Sequence, residues 1–540
     1  GREVCQRIGA RALLGGSIAM LGSSFVITIT AQDCVEGKIF AEQQAQAPTK
    51  EAVLAAMGTA ASEFRKQLGE SLASVQRYDA RIEEATTRSL EALKAYSQGL
   101  RARRTTGDFD AVPFLRRAIE LDPEFALAYA RLGTVYSNLN KADEAKKMTA
   151  RAFELRNKVS EAERFYIEAR YYTTVESNPQ KALDTYNVWL ATYPNEYTAL
   201  ANSGSLLRSL GNREEAITKL ELSTKVAPDQ PLGWTNLAQT YAEMVRWDDA
   251  RRTYETAIKL SDTTSARVGL FQVAVLMGDA ALADAQVAAV RGRRDESVML
   301  GIRMYAATYR GRLKEASDLA AELQPKAVAL SLAQSIAPQL LDLAVAEALF
   351  GDREAAKDRV RQAEADALLD DSTLEAQMAV AALAGDAPRA RALMARIMDA
   401  QPTGQQVSSS GNAPDQGKVA TSLLRMAEGK PADAVAALEP FRPESARSDI
   451  LGMWCLAKMQ AKDWPAALKG FTLLASGSAP RNLGPTLPFA YTGLARTQAA
   501  MGDTAAARAS YQKLFELFKD ADPDLPLLVQ AREEFGKLGS

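Results

Sequence analysis

The sequence contains no histidine at all. That absence excludes Ser-His-Asp and Cys-His catalysis, His-ligated zinc, the HRD catalytic loop of protein kinases and phospho-histidine relay. Cysteine is nearly as scarce, with three in 540 residues, too few for a disulfide scaffold. Charge of one sign is lacking too: 65 Lys+Arg against 67 Asp+Glu leave a formal charge of −2, with no basic footprint for nucleic acid. Hydrophobic residues make up 47% of the chain, enough for a continuous core. An uncharged run from Ala12 to Ala31 has the length of a membrane or signal segment. Gly15, Gly16, Gly22, Ser23 and Ser24 interrupt it, and Phe25-Val-Ile-Thr-Ile-Thr30 is β-branched and alternating, so the run is expected to form a strand hairpin. A third strand is expected over Lys38–Gln43. No membrane span is expected in the chain.

Cys5, on an expected first helix, and Cys34, ending the second strand, could meet across a helix-on-sheet layer in an oxidising compartment. Two buried free thiols are the simpler expectation, and Cys455 reads as helix core. Residues 49–75 carry Val53, Met57, Ala60, Phe64 and Leu68 at helical spacing and read as an amphipathic linking helix.

From about residue 91 the chain repeats with a 34-residue period. Small residues at position 8, Ala at 20, a large residue at 24 and a helix stop at 32 define the register. Repeats begin at Ala92, Ala126, Glu163, Tyr197 and Pro231. They give Gly99, Gly133, Arg170, Gly204 and Ala238 at position 8, and Ala111, Ala145, Ala182, Ala216 and Ala250 at position 20. Small residues there let two helix axes approach, and stacking of pairs supplies the core that no single helix can bury. Trp234-Thr-Asn-Leu-Ala238 and Leu132-Gly-Thr-Val-Tyr136 resemble the first helix of the tetratricopeptide (TPR) family. Beyond residue 264 the match weakens, but a turn followed five residues later by Ala recurs, as in Gly278…Ala283, Gly311…Ala316, Gly351…Ala356, Gly385…Ala390, Gly429…Ala434, Lys462…Ala467 and Gly502…Ala507.

The expected fold is therefore mainly all-α, a TPR-type α-solenoid of about twelve helix pairs after a small truncated α/β segment of one helix and three strands. Its expected divisions are 1–47 (partial α/β), 48–90 (linking helices), 91–264 (regular repeats), 265–403 (degenerate pairs), 404–418 (polar loop) and 419–540 (further pairs with a capping helix). In the last of these Asp524 is expected to N-cap a helix with Pro526 in its first turn.

Searches for chemistry end in structural readings. Gly411…Gly417-Lys418 has one residue too many for a P-loop, and Val419 stands where Ser or Thr must hold magnesium. Asp520, Asp522 and Asp524 lack the Gly and Glu of a calcium loop. The clusters Arg101/Arg103/Arg104 and Arg291/Arg293/Arg294 suit solvated helix ends. No catalytic, cofactor or metal residue is expected, and the expected partner is a protein or extended peptide. In the TPR family first-helix positions 2, 5, 9, 12 and 13 line a concave groove. Here they are Tyr96, Arg103, Arg104, Thr134, Ser137, Asn138, Tyr171, Thr174, Ser205, Arg208, Thr235, Gln239 and Glu243. Asn202 and Asn236, at position 6, lack the flanking lysines of a carboxylate clamp and are read as structural.

Arg2-Glu-Val-Cys-Gln-Arg7, Gly16-Ser-Ile18, Ile27-Thr-Ile-Thr-Ala31, Leu68-Gly-Glu-Ser-Leu-Ala-Ser-Val75, Ser89–Tyr96, Arg117–Pro123 and Asp520–Pro526 together resemble the α/β–TPR region of bacterial eukaryotic-like serine/threonine protein kinases. The resemblance implies a kinase domain and a membrane helix upstream, an α/β domain cut at its first strand and helix, and an extracytoplasmic sensor role for this fragment. Similar tails occur on winged-helix regulators and class III adenylate cyclases. The kinase machinery itself is not in these residues: Gly107-Asp-Phe-Asp110 is not DFG, and no Gly-rich loop follows a strand.

Overall fold

The computed structural model describes residues 12–69, 87–139, 141–329, 333–400, 416–439, 443, 448–478 and 483–539. It is 74% helical, with 26 α-helices and one small antiparallel sheet among the described residues. The helix expected around Cys5 lies outside the described residues.

Strands β1 (Ala12–Leu21), β2 (Ser24–Asp33) and β3 (Ile39–Ala47) pair in sequence order. The hairpin turns at Gly22-Ser23 in register Leu21↔Ser24, and Gly22 takes the left-handed φ of 63° that the tight turn requires. β3 runs four residues past the expected end. Ile27, Ala31, Ala41 and Ala47 bury one face of the sheet against Val53 and Phe64 of α1 (Val53–Gln67). That helix leaves β1 uncovered, with Leu14, Ile18 and Met20 exposed. Cys34 is buried and disulfide-bonded, which corrects the expectation of a free thiol there; Cys455 is the free, buried one.

The chain divides into two units, 1–266 and 267–540. In the first, five pairs follow the sheet: α2/α3 (Leu90–Thr105, Asp108–Leu121), α4/α5 (Ala126–Asn138, Ala142–Glu154), α6/α7 (Glu161–Thr174, Pro179–Thr192), α8/α9 (Tyr197–Ser209, Arg213–Val226) and α10/α11 (Pro231–Glu243, Trp247–Leu260). The small residues act as spacers. A Cβ on Gly99, Gly133 or Gly204 would sit 3.0, 2.5 and 2.6 Å from Leu115, Thr149 and Leu220 respectively. Ala111, Ala145, Ala182, Ala216 and Ala250 are all buried at the same crossings. At the far end, Ser261 Oγ donates to the Arg104 carbonyl at 2.6 Å, tying the residue after α11 to the last turn of α2.

The second unit continues with α12/α13 (Thr264–Met277, Ala280–Val290), α14/α15 (Glu296–Tyr309, Leu313–Ala329), α16/α17 (Ala333–Leu349, Arg353–Ala365) and α18/α19 (Leu374–Leu383, Ala387–Ala400). Then come α20/α21 (Gln416–Ala427, Pro431–Leu438), α22/α23 (Ser448–Gln460, Trp464–Ser478), α24/α25 (Thr486–Ala500, Thr504–Leu517) and α26 (Pro526–Lys537). Residues 416–418, expected in a polar loop, begin α20; residues 404–415 lie outside the described residues.

One local device recurs in both units. Ser177, Gly211, Val245, Gly278, Gly311, Gly351, Gly385, Gly429, Lys462 and Gly502 all have φ between 52° and 95°, and each stands five residues before a buried Ala. The turn between paired helices needs one left-handed residue to reverse the chain in so few steps. Glycine supplies it without strain, while Val245, β-branched at φ 64°, carries the largest conformational penalty of the series.

Candidate functional site

First helices of unit 1 pack side by side, so their free sides form one face. Asp108, at the start of α3, gathers two of them: Arg103 Nε donates to it at 2.7 Å and Asn138 Nδ2 at 2.7 Å. Its place in the first turn also suits the helix dipole. Further along, Glu243 receives Arg208 and, at 3.4 Å, Arg213. Tyr241 donates to Glu221 at 2.8 Å. Burial first, and then that carboxylate, push the Tyr241 phenol up to about 12. Tyr197 accepts from the Gly233 amide at 3.1 Å, and burial pushes its phenol up to about 12 as well.

Between these two charge groups lies an aromatic and cationic cluster. Tyr166, on α6, is buried and its hydroxyl meets Thr134 Oγ1 of α4 at 2.8 Å. The Arg131 guanidinium lies 4.1 Å over the Tyr166 ring. Burial alone would raise the Tyr166 phenol. The fields of Arg131, Arg170 and Arg103 outweigh it and hold the phenol below its ordinary value.

The thirteen groove candidates are placed unevenly. Ser137, Asn138 and Gln239 are exposed, and Thr174 and Ser205 are half-buried. Arg103, Asn138, Arg208 and Glu243 are brought into the polar contacts above. Arg104 is exposed and offers its carbonyl to Ser261. Thr134 and Thr235 return hydrogen bonds to Ala130 and Pro231 in their own helices. Tyr96 is buried beside Phe125, with ring centroids 5.0 Å apart. Tyr171 stacks on Phe153 at 3.8 Å, on the seam with α5. The cause is a one-residue slip in α6. Ala169, fully buried, takes the small position that the period assigns to Arg170, which is half-buried beside Tyr166 and Tyr186 instead. Asn236 donates to the Ala201 carbonyl at 3.4 Å and so joins the neighbouring pair.

Unit 2 encloses a cavity of about 580 Å³, lined by Leu349, Leu383, Met459, Phe489 and Leu527, with Arg353 and Arg496 among them. Its wall is completed by the C-terminal segment. The Asp522 amide donates to the Gly311 carbonyl at 3.1 Å and the Leu527 amide to the Phe350 carbonyl at 2.8 Å. Phe518 meets Phe350 edge to face at 5.6 Å. Asp524 does not cap the last helix: Leu525 holds the N-cap position without a side-chain bond, and Asp524 pairs with Lys314 at 2.8 Å. The cap is replaced because that carboxylate is drawn to the turn between α14 and α15, where the Asp522 side chain also accepts the Lys314 amide. Among the described residues no group of three His, Cys, Asp or Glu is placed to hold a metal ion, and no helix is long and apolar enough to cross a membrane.

Tetratricopeptide repeat models match residues 114–147, 197–230 and 490–520. The second of these spans α8 and α9, and the third most of α24 and α25. These are tetratricopeptide repeats. Solved TPR structures resemble parts of the chain. The type IV pilus biogenesis factor PilW is 19% identical over 38% of this chain and 93% of its own, with a TM-score of 0.28. A thermophilic TPR protein of Thermus thermophilus is 23% identical over 33% and 96%, with a TM-score of 0.29. YrrB, a TPR protein with an unusual peptide-binding site, is 24% identical over 31% and 86%, with a TM-score of 0.20. Among curated proteins none matches. The TPR block is a scaffold of the kind that mediates protein–protein interaction.

Proposed function

We propose that the chain is a non-catalytic binding scaffold that captures an extended peptide or protein segment along the first-helix face of unit 1. The observation that carries this reading is the polar, aromatic and cationic character of that face, running from Arg103 to Glu243 with Ser137, Asn138 and Gln239 open to solvent. Such a surface offers hydrogen bonds and charge to a peptide, and a solenoid presents it over several repeats. The test uses a peptide selected by display on the whole chain. Ser205→Arg with Gln239→Arg, two positions outside the buried core, should abolish its binding while leaving the melting temperature unchanged; full binding by the double variant would refute the assignment.

In the same reading the scaffold is the sensor region of a membrane-anchored bacterial serine/threonine kinase, held outside the cytoplasm. Support comes from the segments that resemble that family and from the disulfide at Cys34, since disulfides persist in oxidising compartments. The coding sequence preceding Gly1 decides it. A kinase domain followed by an apolar helix agrees, and a winged-helix domain there would replace the kinase by a transcription regulator.

A further inference from the structure

We propose that the cavity of unit 2 is a binding site for a small amphiphile, an acyl chain ending in one carboxylate, and that it works independently of the first-helix face of unit 1.

The cavity has a volume of about 580 Å³. Pockets of roughly 300–1,000 Å³ hold small organic ligands. Its lining changes character from floor to mouth. Phe350, Met426 and Leu527 are buried, whereas Arg353, Gln460 and Gln530 are exposed. A hydrocarbon chain fills such a floor favourably, at about fourfold in affinity for each methylene removed from water. A peptide would carry backbone N–H and C=O groups into the same apolar depth, where they lose water and gain few partners.

Charge selects the other end of the ligand. Of the lining residues only Arg353 and Arg496 are charged, and none is a carboxylate. Arg496 is committed: its Nε donates to Glu534 at 3.0 Å and its Nη2 to Gln530 at 3.3 Å. The Arg353 side chain makes no hydrogen bond or ion pair among the described residues. It reaches from the start of α17 towards the next turn, with Nη1 3.9 Å from where a Cβ on Gly385 would stand. The adjacent Asp352 does not neutralise it, because that carboxylate accepts the Ala355 amide at 3.1 Å as the cap of α17. One uncommitted guanidinium fork matches one carboxylate, which accepts two parallel charge-assisted bonds. A cation at this mouth would meet two arginines and no acid.

The terminal helix completes the site. α26 supplies Leu527 to the floor and Gln530 to the mouth, and the Leu527 amide holds the Phe350 carbonyl at 2.8 Å. A ligand touching Phe350 and Leu527 together should therefore fasten α26 to the end of α16.

Decanoate, below its self-association concentration, is titrated into the whole chain by calorimetry, with decanol and decylamine as its neutral and cationic counterparts. Saturable binding of decanoate is expected, with the negative heat-capacity change of apolar burial. Affinity should rise about fourfold per methylene from hexanoate to decanoate. Decylamine should bind about tenfold more weakly or worse, and hydrogen exchange should show added protection in α26 and the end of α16 with unit 1 unchanged. Arg353→Gln, at an exposed position, should weaken decanoate about tenfold, the effect of a lost charge-assisted bond, and leave decanol unaffected. Met459→Trp, which fills the cavity, should abolish binding of both; if that variant does not fold, Arg353→Gln decides alone. No saturable binding, equal affinity for decanoate and decylamine, or unaltered decanoate binding by Arg353→Gln would overturn the site.

Discussion

Units 1 and 2 are built from one kind of helix pair, with the same left-handed turn five residues before the same buried alanine, yet they use it differently. In unit 1 glycine spacers lie inside pairs, as Gly133 against Thr149 and Gly204 against Leu220, and at one place between pairs, Gly233 of α10 against Ser223 of α9. Unit 2 does the same, with Gly470 of α23 against Cys455 and Trp454 of α22 inside a pair and Gly493 of α24 against Phe471 of α23 between pairs. Unit 1 turns arginines, phenols and amides onto its first-helix face. Unit 2 lines its cavity with leucine, methionine and phenylalanine side chains among Arg353, Arg496, Gln460 and Gln530, and the chain's own C-terminal segment walls it. A repeat can therefore lose its sequence register without losing its architecture, provided a tertiary contact replaces what the lost register supplied.

The largest effect should come from removing that contact. Truncation after Lys519 deletes α26 and uncovers Phe350 and Phe518, costing about 4 kcal/mol at roughly 2 kcal/mol for each large apolar side chain exposed. Hydrogen exchange should show α14–α25 losing protection while α2–α11 keep theirs; equal protection in unit 2 would mean that the terminal helix is ornamental.

Next is the buried pair Arg359–Glu347, whose side chains are 15% and 4% exposed. Arg359→Met leaves a desolvated carboxylate and should cost about 3 kcal/mol in denaturant unfolding. Burial is the main cause that raises the Glu347 carboxyl above its ordinary value. Its folded value then exceeds its unfolded one, so its contribution is complete below the ordinary carboxylate range and is lost as pH rises through the raised value. Glu347→Gln should flatten that part of the stability–pH curve.

The spacers give a direct contest between units. Gly493→Ala puts a Cβ 2.3 Å from the buried ring of Phe471, and Gly204→Ala puts one 2.6 Å from Leu220. Overpacking should cost about 3 kcal/mol in the first case and about 2 kcal/mol in the second, because a ring yields less than a leucine. The opposite ranking would show that the regular half is the less tolerant one. The smallest effect has the opposite sign: Val245→Gly relieves a left-handed β-branched residue and should stabilise unit 1 by about 1 kcal/mol in thermal melts.

Most of the architecture was legible because it is local and periodic. The hairpin at Gly22, the buried alanines and the turns that precede them follow from spacing, and even Lys462 keeps the turn that its position demands. What escaped depends on distance in sequence or on a single slip. Asp524 reads as a cap until Lys314, 210 residues away, claims it. Cys34 reads as a free thiol because residue type alone does not bring two sulfurs together. In the groove, Tyr171 and Arg170 exchange expected surroundings because α6 is shifted by one residue, so the period points to the aromatic and misses the arginine. Arg131 could have been noticed: it stands at the position occupied by Asn202 and Asn236 in later repeats, a charged residue where the others carry a short amide.

The central claim is that the regular half binds and the degenerate half closes upon itself. Hydrogen exchange of the whole chain, with and without the display-selected peptide, tests it most directly. The expected footprint is added protection in α4, α6 and α8, with residues 267–539 unchanged. Protection appearing instead around the cavity at Leu349, Met459 and Phe489 would contradict the account and move the binding site to unit 2.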